Sequence, residues 1–248
     1  MFPELERRGF TVHAPTLRHH GHPRDIDVWA EAQKVARVGL LDYVADLAEL
    51  TAQMDSPPII VGHSVGALLA QLLAARVPTK GQVLLGPAPA WGMWNAYPKM
   101  ARIWTRYLPQ WLAGKPMYPC SWETWVNHVC NSLPADITES YYSTLCAESG
   151  TAYRQMALWP IDPKRSAKVD YAAITGPVLV VAGSADEVTV PKTCRRTAEK
   201  YGDRGTYVEL DGSDHMMTVG PYLERTLGAI DAWLSEHDLA PSPDTARC

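Results

Sequence analysis

The sequence predicts an α/β protein, a mostly parallel sheet flanked by helices and interrupted by one inserted helical segment. Three observations carry this reading. The run Ile59-Ile60-Val61 reads as a buried strand that passes through Gly62-His63-Ser64-Val65-Gly66 into an alanine- and leucine-rich helix reaching Ala75. From Pro177 onward, short apolar runs alternate with helical stretches, the pattern of parallel strands joined by crossovers. Between these parts, residues 91–165 hold seven of the nine tryptophans. The core is therefore expected in 1–90 and 166–248, with 91–165 an aromatic-rich helical insertion.

Taken in order, Met1–Arg8 reads as the end of a helix with Gly9 as its C-cap, and Phe10–Ala14 as a strand. A loop follows from Pro15 to Pro23. Residues 34–54 set Val35, Val38, Leu41, Val44, Leu47 and Leu50 against Asp42, Asp46 and Glu49, which predicts an amphipathic helix. Beyond the first strand and helix, Gln82–Leu85 reads as a short buried strand. In the insertion, Met100, Ile103, Trp104, Tyr107, Leu108 and Trp111 recur at helical spacing with Lys99, Arg102 and Arg106 off that face. Pro109 is expected to kink or end that helix. Pro177–Ala182 and Thr206–Leu210 read as strands, Lys192–Tyr201 and Tyr222–Ser235 as helices. The tail beyond Glu236, with Pro241, Pro243 and Asp244, is expected to fray.

Composition narrows the function classes. A length of 248 residues supports a sizeable core, and a net charge of −4 gives no reason to propose a nucleic-acid partner. Cys120, Cys130, Cys146, Cys194 and Cys248 are widely spaced and odd in number, so they read as reduced thiols rather than a disulfide framework or zinc site. No apolar run approaches the roughly 18 residues of a membrane span, so no stable membrane insertion is expected. Glu4, Glu6, Arg7 and Arg8 stand where a signal peptide would be apolar, and a cytoplasmic setting is the default expectation.

The chemistry concentrates at Gly62-x-Ser64-x-Gly66. At such a strand-to-helix junction the turn is sharp enough to strain the serine backbone and turn its hydroxyl outward. Gly62 and Gly66 are expected because side chains there would collide as the chain doubles back. The helix N-terminus favours developing negative charge, and the Val65 N–H is the expected oxyanion donor. The competing reading is an ordinary glycine-rich turn.

Four stretches give the chain its resemblance to the α/β-hydrolase superfamily: Arg8-Gly9-Phe10 through Arg18, Gly62 through Gly66, Gly183-Ser184-Ala185-Asp186 through Pro191, and Gly212-Ser213-Asp214-His215-Met216-Met217. They follow the family's order. The resemblance implies Ser64 as nucleophile, His215 as the base and Asp186 as the acid that orients it, with Glu187 and Asp214 as adjacent rival acids. It implies no cofactor and no metal.

Residues 91–165 fall where this superfamily inserts a cap, and Trp91, Trp94, Trp104, Tyr107 and Met216 are expected to line an apolar pocket. The competing reading is that the aromatics only pack the insertion onto the body. His63 is assigned to packing or backbone hydrogen bonding, and His19, His20 and His22 to a solvated or pocket-edge loop rather than a metal site.

One departure stands out. The family's second oxyanion donor follows its third strand, upstream of the helix with which this sequence opens, and that strand normally separates the Phe10 strand from the Ile59 strand. Either the natural chain begins further upstream, which is the preferred reading, or the Phe10 strand pairs directly with the Ile59 strand and another group supplies the donor. The expected activity is hydrolysis of a small-molecule carboxylic ester with an apolar acyl or aromatic part, through an acyl-enzyme. Thioester, lactone or carbon–carbon hydrolysis and acyl transfer use the same residues, and a non-catalytic ligand-binding module is the alternative from another class.

Overall fold

The computed structural model describes residues 1–94 and 98–241; Tyr97, Pro243, Asp244 and Cys248 lie outside the described residues, as do the side chains of Lys99, Met100 and Arg102. The chain opens with α1 (Phe2–Arg7), which carries Pro3 in its first turn, where a missing N–H is harmless. Arg8 then forks onto Asp231, with Nε 2.8 Å from Oδ1 and Nη2 3.0 Å from Oδ2, tying the first helix to the last.

Phe10–Ala14 forms no strand, contrary to the sequence expectation, and does not pair with Ile59 and its neighbours. A strand exists only by sharing a ladder. Here the Phe10 N–H turns back to the Leu5 carbonyl, while Phe10, like Ile59, packs against the core beneath α10.

Next come α2 (Val28–Val35), capped by the Asp27 carboxylate, and α3 (Leu40–Thr51). The single helix expected over 34–54 is thus two pieces. Gly39 interrupts it, its N–H donating to the Asp42 side chain at 2.7 Å, so that Asp42 starts a new helix instead of continuing an old one.

β1 (Ile59–His63), α4 (Val65–Ala74) and β2 (Gly81–Leu85) follow as expected. The insertion comprises α5 (Pro98–Ala113), α6 (Trp122–Thr124) running into a π-helical turn over Trp125–Val129, α7 (Ala135–Tyr142) and α8 (Gly150–Ala157). Pro109 lies inside α5 and does not end it. Trp111, buried and stacked on Tyr153 of α8, holds the turn beyond the proline. The core resumes with β3 (Val178–Gly183), α9 (Pro191–Glu199), β4 (Gly205–Leu210) and α10 (Leu223–Glu236).

The sheet is all parallel in the order β1-β2-β3-β4. β2 and β3 are fully buried, and their residues alternate between two cores as a pleated strand demands. Leu84, Val178, Val180 and Ala182 face the core shared with α2, α3, α4, α8 and α9. Val83, Leu85, Leu179 and Val181 face the core closed by Ile230, Trp233 and Leu234 of α10. β1 is an edge strand whose outer side leaves Val61 37% exposed.

The two glycines of the elbow differ. A Cβ on Gly62 would sit 2.4 Å from the Gly66 carbonyl oxygen and 2.7 Å from Ala67 Cα, so only glycine fits where α4 doubles back over β1. A Cβ on Gly66 would meet nothing within 4 Å, which corrects the sequence expectation. Among the described residues, nothing packs against that position in the first turn of α4. Gly62→Ala should therefore lower unfolding free energy by about 2–3 kcal/mol. Gly66→Ala, inside a helix with open space, should be neutral or stabilising by up to about 1 kcal/mol. Urea unfolding of the two variants checks the contrast.

Candidate active site

The candidate residues sit on the loops at the carboxyl ends of β1, β3 and β4. Ser64 follows β1 with φ 54° and ψ −120°, a left-handed backbone that a non-glycine residue adopts only under constraint. That constraint is visible. The Ser64 N–H donates to the Leu85 carbonyl at 2.9 Å, and its own carbonyl accepts from Ala67 and Ala88, each at 3.0 Å. Val65 begins α4, so its N–H belongs to the unpaired first turn of a helix.

Asp186 and His215 meet directly. His215 Nδ1 lies 2.8 Å from Asp186 Oδ2, and both side chains are almost fully buried. A carboxylate can only accept, so Nδ1 carries the proton and Nε2 is the basic nitrogen. Asp186 is held by four donors. Its Oδ1 accepts from the Val188 and Thr189 N–H groups at 2.7 and 2.9 Å, and its Oδ2 from the Thr189 hydroxyl at 2.9 Å as well as from His215. Burial works against the charged carboxylate, but the His215 imidazole and the Thr189 donors outweigh it and lower its pKa.

Behind the pair runs Gly86, at φ +47°, where a Cβ would lie 3.0 Å from Thr189 Oγ1 and 3.4 Å from His215 Nδ1. Neither Gly86 nor Thr189 was singled out from the sequence. The Asp-x-x-Thr spacing was the readable signal for Thr189, since a threonine three residues on can donate to the aspartate.

The rival acids go elsewhere. Glu187 Oε2 pairs with His128 Nδ1 at 2.6 Å. Asp214 accepts from the Met216 and Ser132 N–H groups, each at 3.0 Å.

Among the described contacts, the Ser64 hydroxyl makes no hydrogen bond to His215. Such bonds are often long in unliganded sites and tighten with substrate. The elbow and the loop that carries His215 are linked through His63. His63 Nε2 donates to the His215 carbonyl at 2.7 Å, and the two rings lie 4.6 Å apart. Burial first, and His215 second, push its pKa down to about 4, so His63 is neutral near pH 7.

Of the aromatic residues expected at a substrate pocket, Trp91 and Trp94 both meet Trp159, at 4.9 and 5.3 Å. Trp91 is half-buried, with its edge against Trp159 at 4.9 Å and Arg165 over its face at 5.4 Å. Trp94 is 58% exposed, while Trp104, Tyr107 and Met216 are half-buried. Two clefts of about 350 and 260 Å³ are lined by other residues, the larger by Asn131, Ala185, Asp186, Glu187 and their neighbours.

The histidines of the 15–23 loop go to separate partners. His19 pairs with Glu31 at 2.8 Å, and the His22 ring accepts from the Arg24 N–H. His20 has Nδ1 3.0 Å from the Arg18 carbonyl and Nε2 3.2 Å from Glu148 Oε2. Both nitrogens thus face acceptors, which calls for the doubly protonated ring. Burial opposes that charge, but Glu148 outweighs it and raises the His20 pKa. Glu148 is satisfied further by the Tyr43 hydroxyl at 3.0 Å and the Ser149 N–H at 2.6 Å. This cluster fastens the insertion to the loop and to α3.

The chain's similarities fit this geometry. The alpha/beta hydrolase family model matches residues 1–226. No curated protein sequence matches. Among solved structures, an extracellular alpha/beta-hydrolase from a Paenibacillus species is 18% identical, with 94% of this chain and 90% of that one covered at a TM-score of 0.65. A tomato methylketone synthase I variant, complexed with beta-ketoheptanoate, is 13% identical with the same coverages and a TM-score of 0.67. The Paleococcus ferrophilus monoacylglycerol lipase is 22% identical, with 81% and 77% covered at a TM-score of 0.57. At these identities the likeness is one of fold.

The two perturbed histidines set opposite pH limits on stability. His63, depressed in the fold, contributes stability that is complete above its unfolded pKa of 6.5 and is lost as pH falls towards 4, at up to about 1.4 kcal/mol per pH unit. His20, raised in the fold, contributes stability that is complete below 6.5 and lost as pH rises through its folded value. Urea midpoints from pH 4 to 8 should pass through a maximum near 6.5. His20→Gln should flatten the alkaline limb only, and an unchanged limb would remove His20 from this account.

Proposed function

Because the chain belongs to the alpha/beta hydrolase family, we propose that it is a serine hydrolase that cleaves a small carboxylic ester with an apolar acyl or aromatic part. The observation that carries the proposal is the buried Asp186–His215 pair, 2.8 Å apart, following the strained Ser64 elbow in the order Ser, Asp, His. His215 Nε2 takes the Ser64 proton as Oγ attacks the ester carbonyl. The resulting oxyanion is met by the Val65 N–H and the positive end of α4. As the tetrahedral adduct collapses, the imidazolium returns its proton to the departing alkoxide and Ser64 is left acylated. Water then enters, deprotonated by the same imidazole, and releases the acid.

Each support has a role in that cycle. Asp186 stabilises the imidazolium, and its four donors keep it an acceptor. His63 holds the His215 carbonyl while remaining neutral, so it places no second positive charge beside the imidazolium. Residues 91–165 serve as a cap over the site, and their aromatic content suits an apolar acyl or ring. Trp91, Trp94, Trp104, Tyr107 and Met216 are the residues assigned to that pocket.

Ser64→Ala should reduce turnover of short p-nitrophenyl esters by at least ~10³-fold with the melting temperature unchanged, and Asp186→Asn by ~10²–10⁴-fold. A fluorophosphonate should label wild type at Ser64 and leave Ser64→Ala unlabelled. Undiminished ester turnover in folded Ser64→Ala would overturn the assignment. Ligand binding without labelling or turnover in wild type would favour the non-catalytic module.

A further inference from the structure

The insertion grips the base-bearing loop through one buried carboxylate. Asp214, immediately before His215, is fully buried, yet it does not face the imidazole's proton. Its Oδ1 accepts from the Met216 N–H at 3.0 Å, closing a tight turn around His215. Its Oδ2 reaches across to the Ser132 N–H, also 3.0 Å away. Ser132 is held from the far end of the same loop too: the Tyr222 hydroxyl lies 2.8 Å from Ser132 Oγ. The segment 214–222 therefore leaves the sheet, carries His215, and is fastened at both ends to one residue of the insertion.

The neighbouring contacts follow the same pattern. Asn131 Nδ2 donates to the Ala185 carbonyl at 3.1 Å, and His128 meets Glu187 at 2.6 Å, so the acid loop is held by the same stretch. Ala185 N–H in turn donates to the Ser213 carbonyl at 2.9 Å, joining the two loops to each other. This stretch includes the end of the π-helical turn Trp125–Val129, where the Cys130 N–H bonds the Trp125 carbonyl five residues back. π turns are uncommon, and they recur where a helix must re-aim side chains at a site. The turn is itself anchored, since the buried Trp125 donates its indole N–H to the Thr138 carbonyl at 2.9 Å.

We propose that Asp214 is a positioning residue for His215, acting by tying the base loop to Ser132 so that the insertion sets where the imidazole stands. The proposal rests on His215 being the base of the hydrolytic reading. A neutral isostere keeps one acceptor and turns an amide donor towards the other N–H, so one of the two ties must open. Asp214 touches no substrate; its effect passes through the position of the ring, where an error of about 1 Å costs on the order of 10²-fold in rate.

Two variants test it, Asp214→Asn at the buried tie and Tyr222→Phe at the exposed one, with two measurements on each. Amide hydrogen exchange of residues 213–219 in the free protein should accelerate at least tenfold in Asp214→Asn and less in Tyr222→Phe, while β2 and β3 amides keep their wild-type rates. Ester kinetics should show kcat down ~10–100-fold in Asp214→Asn with KM within about threefold, and a smaller loss of the same kind in Tyr222→Phe. Exchange at wild-type rates in both variants overturns the proposal, as does an unchanged kcat. Acceleration spread evenly over the sheet also overturns it, because it marks general destabilisation. A wild type that neither turns over esters nor takes the fluorophosphonate refutes the hydrolytic reading instead, and the exchange measurement still decides whether Asp214 holds the loop.

Discussion

The structure of the site depends on keeping one carboxylate charged where water is absent. Asp186 is nearly fully buried, and an unpaired carboxylate at that depth would take up a proton and lose its ability to hold an imidazolium. Four donors prevent this, three of them from its own loop and one from His215. That requirement fixes much else. The turn from Asp186 to Thr189 must close tightly enough to aim two N–H groups and a hydroxyl at one side chain. β3 and β4 must be adjacent and parallel so that their following loops meet, and Gly86 must pass behind without a side chain.

Strain at Ser64 is supported by the same economy of backbone bonds. A residue at φ 54° persists only if its surroundings determine it fully, and both of its peptide groups are engaged by β2 and by α4. Because the Ser64 N–H is spent on Leu85, the donors left at the turn are those of the first helical turn, beginning with Val65. The close approach at Gly62 follows from this geometry, since α4 can only return over β1 if nothing projects from that position.

Much of this was legible in the sequence. The strands at 59–63, 81–85, 178–183 and 205–210 were readable because a buried parallel strand is a short apolar run bounded by turn residues. The elbow was readable because its glycine and serine spacing has a steric cause at Gly62. Three features were not readable. Phe10–Ala14 has the composition of a strand, but whether a ladder forms depends on a partner that local sequence does not describe. The break lies inside a continuous apolar periodicity: the first helix ends at Val35, and the Asp42 carboxylate's bond to the Gly39 N–H starts the next. The sequence assigned His63 to packing or backbone hydrogen bonding, as found, but its partner and that of Asp214 lie 152 and 82 residues away, which no spacing rule anticipates.

Among the described residues, two histidine–carboxylate pairs connect the insertion to the body, and both are partly exposed. His20 and Glu148 are partly exposed, yet each polar atom of the pair has a partner, His20 Nδ1 on the Arg18 carbonyl and Glu148 Oε1 on the Tyr43 hydroxyl and the Ser149 N–H. His128 and Glu187 are exposed to a similar degree, and Glu187 borders the cleft beside Asp186, so solvent screens this pair too. The stretch that holds Glu187 also meets the loops carrying Asp186 and His215, through the Ala185 carbonyl and the Asp214 carboxylate. Movement of residues 128–132 therefore bears on Asp186 and His215 through these contacts, whereas the described contacts of Glu148 run to His20, Tyr43 and Ser149.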